Sequence, residues 1–179
     1  MQNLQELFVT ELRDAYDAET QAVDSMPRLM ECATNPQLRQ ALQQHLEQTQ
    51  RQVERLEQIF EQMGEEPGGE PCEAMRGLVA EAEEIVEMED EADPDVLDAA
   101  IIAAAQKMEH YEIASYGTLS TWATVLGQGK VKEMLGQILS EEKEADQMLS
   151  ALAEQSINPQ AMQGTPGNDT RSPSRSSAR

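Results

Sequence analysis

Between residues 105 and 126, the positions Ala105, Glu109, Glu112, Tyr116, Leu119, Ala123 and Leu126 recur in alternating steps of four and three. That spacing traces one inward stripe of an α-helix, because 3.6 residues complete a turn. The stripe is apolar except at two points, where carboxylates stand among Ala, Leu and Tyr. A helix of this kind needs neighbours that cover its seam and also accommodate two acids inside it.

The rest of the chain supplies such neighbours. A first long helix is expected over about Leu4–Cys32, with Phe8, Leu12, Ala15, Glu19, Ala22 and Met26 on one stripe and Pro27 able to kink or end it. The stretch TNPQ (34–37) breaks the pattern, and Pro36 suits the first turn of the next helix. That second long helix, about Gln37–Met63, carries Leu38, Leu42, Leu46, Thr49, Val53, Leu56 and Phe60. A rotated alternative turns His45, Thr49 and Gln52 inward instead. Gly64 is a natural C-terminal stop before the loop GEEPGGEP (64–71). A shorter helix over about Cys72–Glu89 follows, then a third long helix over about Asp95–Leu126, the turn GQGK, and a fourth over about Val131–Gln155.

The first two long helices are joined by a short connection, and so are the last two, so each pair should be an antiparallel hairpin. The connection between the hairpins is long and carries its own helix. The expected fold class is therefore all-α, a ferritin-like four-helix bundle with one long crossover that holds an extra short helix. No strand pattern competes. Residues 1–157 form the bundle, while the Pro-, Gly-, Ser- and Arg-rich stretch 158–179 is expected to be a disordered tail.

Bulk properties narrow the partners. With 179 residues the chain is long enough for one domain with a sizeable core. Aromatics make up only 3% beside ten methionines, so that core should be aliphatic and Met-filled. A formal net charge of −21 argues against nucleic acid or an anionic membrane as partner and permits cations, basic proteins or a high-salt setting. Cys32 and Cys72 are far apart and outside any CxxC pair, which fits free thiols in a reducing cytosol. No apolar run follows Met1, and none approaches the roughly 20 residues of a membrane span. The expectation is a soluble cytoplasmic protein.

The two acids of the third helix have company. Glu19 lies on the stripe of the first helix and Glu142 on that of the fourth; Glu47 stands one position off the stripe of the second, and Asp146 follows Glu142 by one turn. Counting from the hairpin ends at 1.5 Å per residue puts Glu19, Glu47, Glu112 and Glu142 between roughly 15 and 21 Å deep. All therefore fall near mid-bundle. Several ionised carboxylates in one dry layer cannot stand alone, since each is penalised by desolvation and by its neighbours. Either most are protonated or divalent cations hold them, and hard or borderline metals such as iron and manganese suit such a donor set. His45 and His110 fall outside any Glu-x-x-His pair and read as residues beside the site rather than ligands. Tyr16, Tyr111 and Tyr116 are available as hydrogen-bond donors to carboxylates or as core residues.

The runs ELRDAYDAETQ, HLEQTQRQVERLEQIF, DAAIIAAAQKMEHYEIASYGTL and LSEEKEADQML, one on each long helix, resemble the YciE/YciF family of ferritin-like stress proteins. The resemblance covers about residues 1–155, and its most specific part is AAAQKMEHYEIASYGTL. The family is similar to rubrerythrin-type domains that hold a di-iron site. Their pattern is Glu on the first helix, Glu-x-x-His on the second, Glu-x-x-Glu on the third and Glu-x-x-His on the fourth. Carried over residue by residue, this implies Glu19, then Glu47 with Gln50, then Glu109 with Glu112, then Glu142 with Ala145. Both histidine positions depart, to Gln50 and Ala145. Gln50 can still offer an amide oxygen, and Asp146 or Glu141 can compensate on the last helix.

These readings lead to an expected function. Two iron ions, with manganese as the alternative, would be held by Glu19, Glu47, Gln50, Glu109, Glu112, Glu142 and Asp146 and would react with O2 or H2O2. The protein would act as a ferroxidase or peroxide-scavenging oxidoreductase, as a homodimer. The competing expectation is a metal-free helical scaffold that binds a partner.

Overall fold

Asn3 starts the first helix, α1 (Leu4–Cys32), by accepting the Glu6 N–H on its side chain. Asn35 and Asp93 do the same for α2 (Pro36–Met63) and α4 (Pro94–Val125), each followed by a proline whose missing N–H costs nothing at that position. Between them lies α3 (Glu73–Glu87), started by the Cys72 sulfur, which accepts the Met75 N–H. The last long helix, α5 (Gly129–Leu152), passes through a π-helical turn at Ala153–Ile157 into α6 (Asn158–Gly164). The computed structural model of the chain describes residues 1–164.

The pairs α1–α2 and α4–α5 form two hairpins, and contacts of α1 with α4 and of α2 with α5 close the four-sided bundle. The crossover from α2 to α4 carries α3, which packs on α1 and α4. This is the topology expected from the connection lengths. Helix α1 runs past Pro27 to Cys32 without ending there. At the C-terminus the helical path continues beyond residue 157: α6 lies against α4, so residues 158–164 of the expected tail are helical. The remainder of that tail, 165–179, lies outside the described residues.

Gly64 ends α2 with φ of +69°, and the Gly64 and Glu65 N–H groups close on the carbonyls of Glu61 and Phe60. Only glycine adopts that left-handed conformation without penalty. Gly64→Ala is expected to destabilise the fold by about 1 kcal/mol, seen as a lower urea midpoint at unchanged slope.

The connection between α1 and α2 is fixed from across the bundle. Asp98 of α4 is buried, and its carboxylate accepts the Thr34 N–H (2.7 Å), the Thr34 hydroxyl (2.7 Å) and the Asn35 N–H (2.8 Å). One side chain thereby anchors the turn of one hairpin to the other hairpin.

The apolar core is divided. One cluster includes Leu29, Leu38, Leu42, Met75, Ile101 and Leu149, and the other includes Phe8, Leu12, Leu56, Phe60, Leu119, Leu135 and Ile138. Along α2, α4 and α5 a short polar section separates the residues of one cluster from those of the other, and on α1 Glu19 follows directly on the change of cluster between Ala15 and Ala18. That section is where the acids lie.

Candidate metal centre

Each long helix delivers polar side chains to the dividing layer. Among the described residues, the buried polar side chains there are Glu19 of α1, His45, Thr49 and Gln52 of α2, Glu109 and Glu112 of α4, and Glu142 of α5. His45, Glu109, Glu112 and Glu142 each present a donor atom within 4.8 Å of the others, an arrangement that can hold a metal ion. His45 Nε2 lies 2.7 Å from Glu109 Oε1. The Tyr116 hydroxyl donates to Glu19 Oε1 at 2.5 Å, and Thr49 Oγ1 donates to the His45 carbonyl of its own helix. Gln52 donates to Glu141, which is itself gripped by the two terminal guanidinium nitrogens of Arg55 at 2.9 and 3.1 Å.

Burial and crowding set the electrostatics. Removal from water is the largest cause holding Glu109 up at about 8, far above an ordinary carboxyl. Glu19, Glu112 and Glu142 are likewise held well above the carboxylate range, first by burial and then by the negative charge of neighbouring acids. Burial and the adjoining Glu19 push the Tyr116 phenol upward as well. The layer therefore resists holding several negative charges without compensation.

Its unsatisfied atoms point the same way. Glu19 Oε2, His45 Nδ1, Gln52 Oε1, Glu109 Oε2, Glu112 Oε1 and both oxygens of Glu142 are buried without a hydrogen-bond partner. Each such atom costs about 1–3 kcal/mol if it stays unpaired. An oxygen-rich set with one imidazole is a donor set that can hold a metal ion, so the residues present fit such a group.

The structure brings together four of the acids read from sequence, Glu19, Glu109, Glu112 and Glu142, and places the other residues of that set elsewhere. Glu47 and Gln50 are exposed on the outer side of α2, where Glu47 accepts from Gln43. They thus stand apart from the buried donors, where the resemblance implies ligands. The physical reason is rotation. The buried face of α2 shares Leu38, Leu42, Thr49, Leu56 and Phe60 with the expected stripe, but in its middle His45 and Gln52 take the inward places of Leu46 and Val53, each one residue and so about 100° away, as in the rotated alternative. Asp146 is half-buried, accepts from Gln106 at 2.9 Å and lies 3.3 Å from the exposed His110. His110 is thus a flanking residue, as its position after Glu109 implies. His45 is not, and the sequence signal for it was the unbroken four–three spacing of that polar stripe. Cys32 and Cys72 are buried free thiols.

Long helices paired into two hairpins, with a crossover between them and acidic and imidazole donors gathered at mid-depth, define a ferritin-like bundle with a candidate metal centre. The family described as Domain of unknown function (DUF892) matches residues 3–162. The chain belongs to this family, that of the YciE/YciF proteins. It is 42% identical to Protein YciF of Escherichia coli (strain K12) over 162 residues, covering 90% of this chain and 96% of the relative. The crystal structure of that E. coli stress protein superposes with a TM-score of 0.84, covering 88% of this chain and 99% of the other. YcfI from Rhodopseudomonas palustris, named as a candidate structural protein, is 47% identical with a TM-score of 0.80 over 84% of this chain and 94% of its own. No helix among the described residues is long and apolar enough to cross a membrane.

Proposed function

We propose that this chain is a dinuclear metal carboxylate protein of the stress response. It would hold two iron ions, or manganese in their place, and act on dioxygen or hydrogen peroxide as a ferroxidase or peroxide-scavenging oxidoreductase. The observation that supports this best is the buried cluster of His45, Glu109, Glu112 and Glu142 with donor atoms inside 4.8 Å. Glu19 completes the proposed set from α1, since it is fully buried and its charge is felt by Glu112. Two divalent cations would balance the four carboxylates, which otherwise repel one another. The likeness to the E. coli stress protein supports the physiological setting.

Bound ferrous ions would supply electrons to a small oxidant, and the carboxylate charge would favour their higher oxidation state. The chain's own residues prepare that chemistry. Tyr116 occupies one oxygen of Glu19 and leaves the other for a cation. Arg55 fixes Glu141, and Glu141 fixes the Gln52 amide beside the cluster. The two apolar clusters keep water from the layer on either side. We take the acidic surface to exclude nucleic acid as a partner, and the working unit to be a cytoplasmic homodimer.

A second reading, a metal-free scaffold, draws on the structural role named for YcfI. Metal analysis separates the two. After anaerobic loading and desalting, a pair of iron or manganese ions per chain is expected, with anomalous-scattering peaks among Glu19, His45, Glu109, Glu112 and Glu142. A loaded protein that retains no metal would leave the scaffold.

A further inference from the structure

Helix α2 gives the acid layer a second donor residue, and this one carries no charge. Gln52 is fully buried there, two turns and so about 10 Å along the helix axis from His45. The two flank the layer from opposite ends. His45 follows Leu42 of one apolar cluster, and Gln52 precedes Leu56 of the other. Burial and Glu109 push Glu142 up, while His45 and the Gln52 amide draw it back, so both α2 side chains act on that carboxylate.

The orientation of the amide follows from its partner. The two terminal nitrogens of Arg55 hold Glu141 at 2.9 and 3.1 Å. An ion-paired carboxylate only accepts, so Gln52 must present its N–H there, and Nε2 donates to Glu141 at 3.0 Å. The other branch of the planar amide, Oε1, is thereby turned from Glu141, and it is buried without a partner. Hydroxyls of the layer are committed elsewhere, Thr49 to the His45 carbonyl and Tyr116 to Glu19. An orphaned amide oxygen at this depth is costly, and a hard cation is a partner that such an oxygen suits.

We propose that Gln52 is an oxygen ligand of one of the two cations, held ready by Arg55 and Glu141. The inference rests on the metal-centre reading and adds to it a ligand and a charge balance. Glu19, Glu109, Glu112 and Glu142 set four negative charges against the four positive charges of two divalent ions. The amide adds a donor without a fifth negative charge. Gln52→Leu removes that donor and puts an apolar group beside Leu56, so the metal-free variant is expected to be at least as stable as the unaltered chain.

Anaerobic manganese titration of the full chain, with free manganese read by electron paramagnetic resonance, is expected to give two ions per unaltered chain. In Gln52→Leu one of them is expected to be held about tenfold less tightly or to be lost. Gln50→Leu, on the exposed side of α2, is expected to match the unaltered chain. Anomalous scattering from manganese-soaked crystals of the unaltered chain is expected to place an ion within about 2.5 Å of Gln52 Oε1, a result that does not depend on how any variant folds. Equal affinity in the unaltered chain and Gln52→Leu, weakening by Gln50→Leu alone, or a water between Oε1 and the nearest ion overturns the assignment and leaves the metal centre standing. An unaltered chain that takes up no manganese removes the centre, and this ligand with it.

Discussion

In its metal-free form the protein is expected to become easier to unfold as the pH rises from about 4.5 to about 8. The cause is the raised titration of the buried acids, Glu109 at about 8 and Glu19, Glu112 and Glu142 well above the ordinary carboxyl value. Below pH 4.5 the carboxyl is protonated in both folded and unfolded chains, and nothing is lost. Between the two values the unfolded chain has released its proton while the folded chain still holds it. The folded state then binds more protons, so stability falls with each unit of pH until about 8, beyond which both states are ionised. For Glu109 alone the full loss is on the order of 5 kcal/mol, and Glu19, Glu112 and Glu142 titrate in the same sense.

A bound metal should reverse this slope, because metal requires deprotonated ligands and its affinity rises over the same window. Urea titrations at pH 5, 6, 7 and 8, with and without manganese, read both effects. The Glu109→Gln and Glu112→Gln double variant is expected to reduce the metal-free slope, to be more stable than the unaltered protein at pH 8, and to retain no metal. A slope that stays flat in the unaltered metal-free protein would contradict the buried acid layer.

Asp98→Ala is expected to be the most damaging single substitution outside that layer. It removes a buried carboxylate that accepts three hydrogen bonds from Thr34 and Asn35, and it leaves those donors without a partner. Hydrogen bonds to a charged group are worth about 1.5–3 kcal/mol each, and losses at one shared acceptor overlap, so about 3–5 kcal/mol is the expected sum. For a domain of this size that lowers the melting temperature by about 10 °C or more. Asp98→Asn keeps one good acceptor and should lose about half as much. Calorimetry on the two variants checks the order, and equal melting temperatures for both would assign the effect to volume rather than to hydrogen bonding.

The architecture was legible because its signals are redundant. Stripes in steps of three and four, capping residues such as Asn35 and Asp93, and the short and long connections all constrain the same bundle. The acids of α1, α4 and α5 were legible for a related reason, since each stands in a seam that is otherwise apolar. Helix α2 was harder to read. Its ends are apolar on the buried side, through Leu38 and Leu42 and again through Leu56, Ile59 and Phe60. Its middle faces the polar layer, so hydrophobicity points to Leu46 and Val53, which are only half-buried. A polar centre matches polar with polar, and no apolar score can detect that. The α6 continuation was hidden by composition, because Pro, Gly and Gln read as coil until packing on α4 is known.

The division of the core has a consequence for how the bundle moves. Each end is sealed by its own apolar cluster, while the waist is joined by groups that repel one another when no cation is present. Fluctuations should therefore concentrate at the waist: backbone amides near Thr49, Glu112 and Glu142 exchange with solvent deuterium ahead of those near Leu38 or Phe60. An ion seated there would act as a rivet, closing the girdle and making the two ends melt as one.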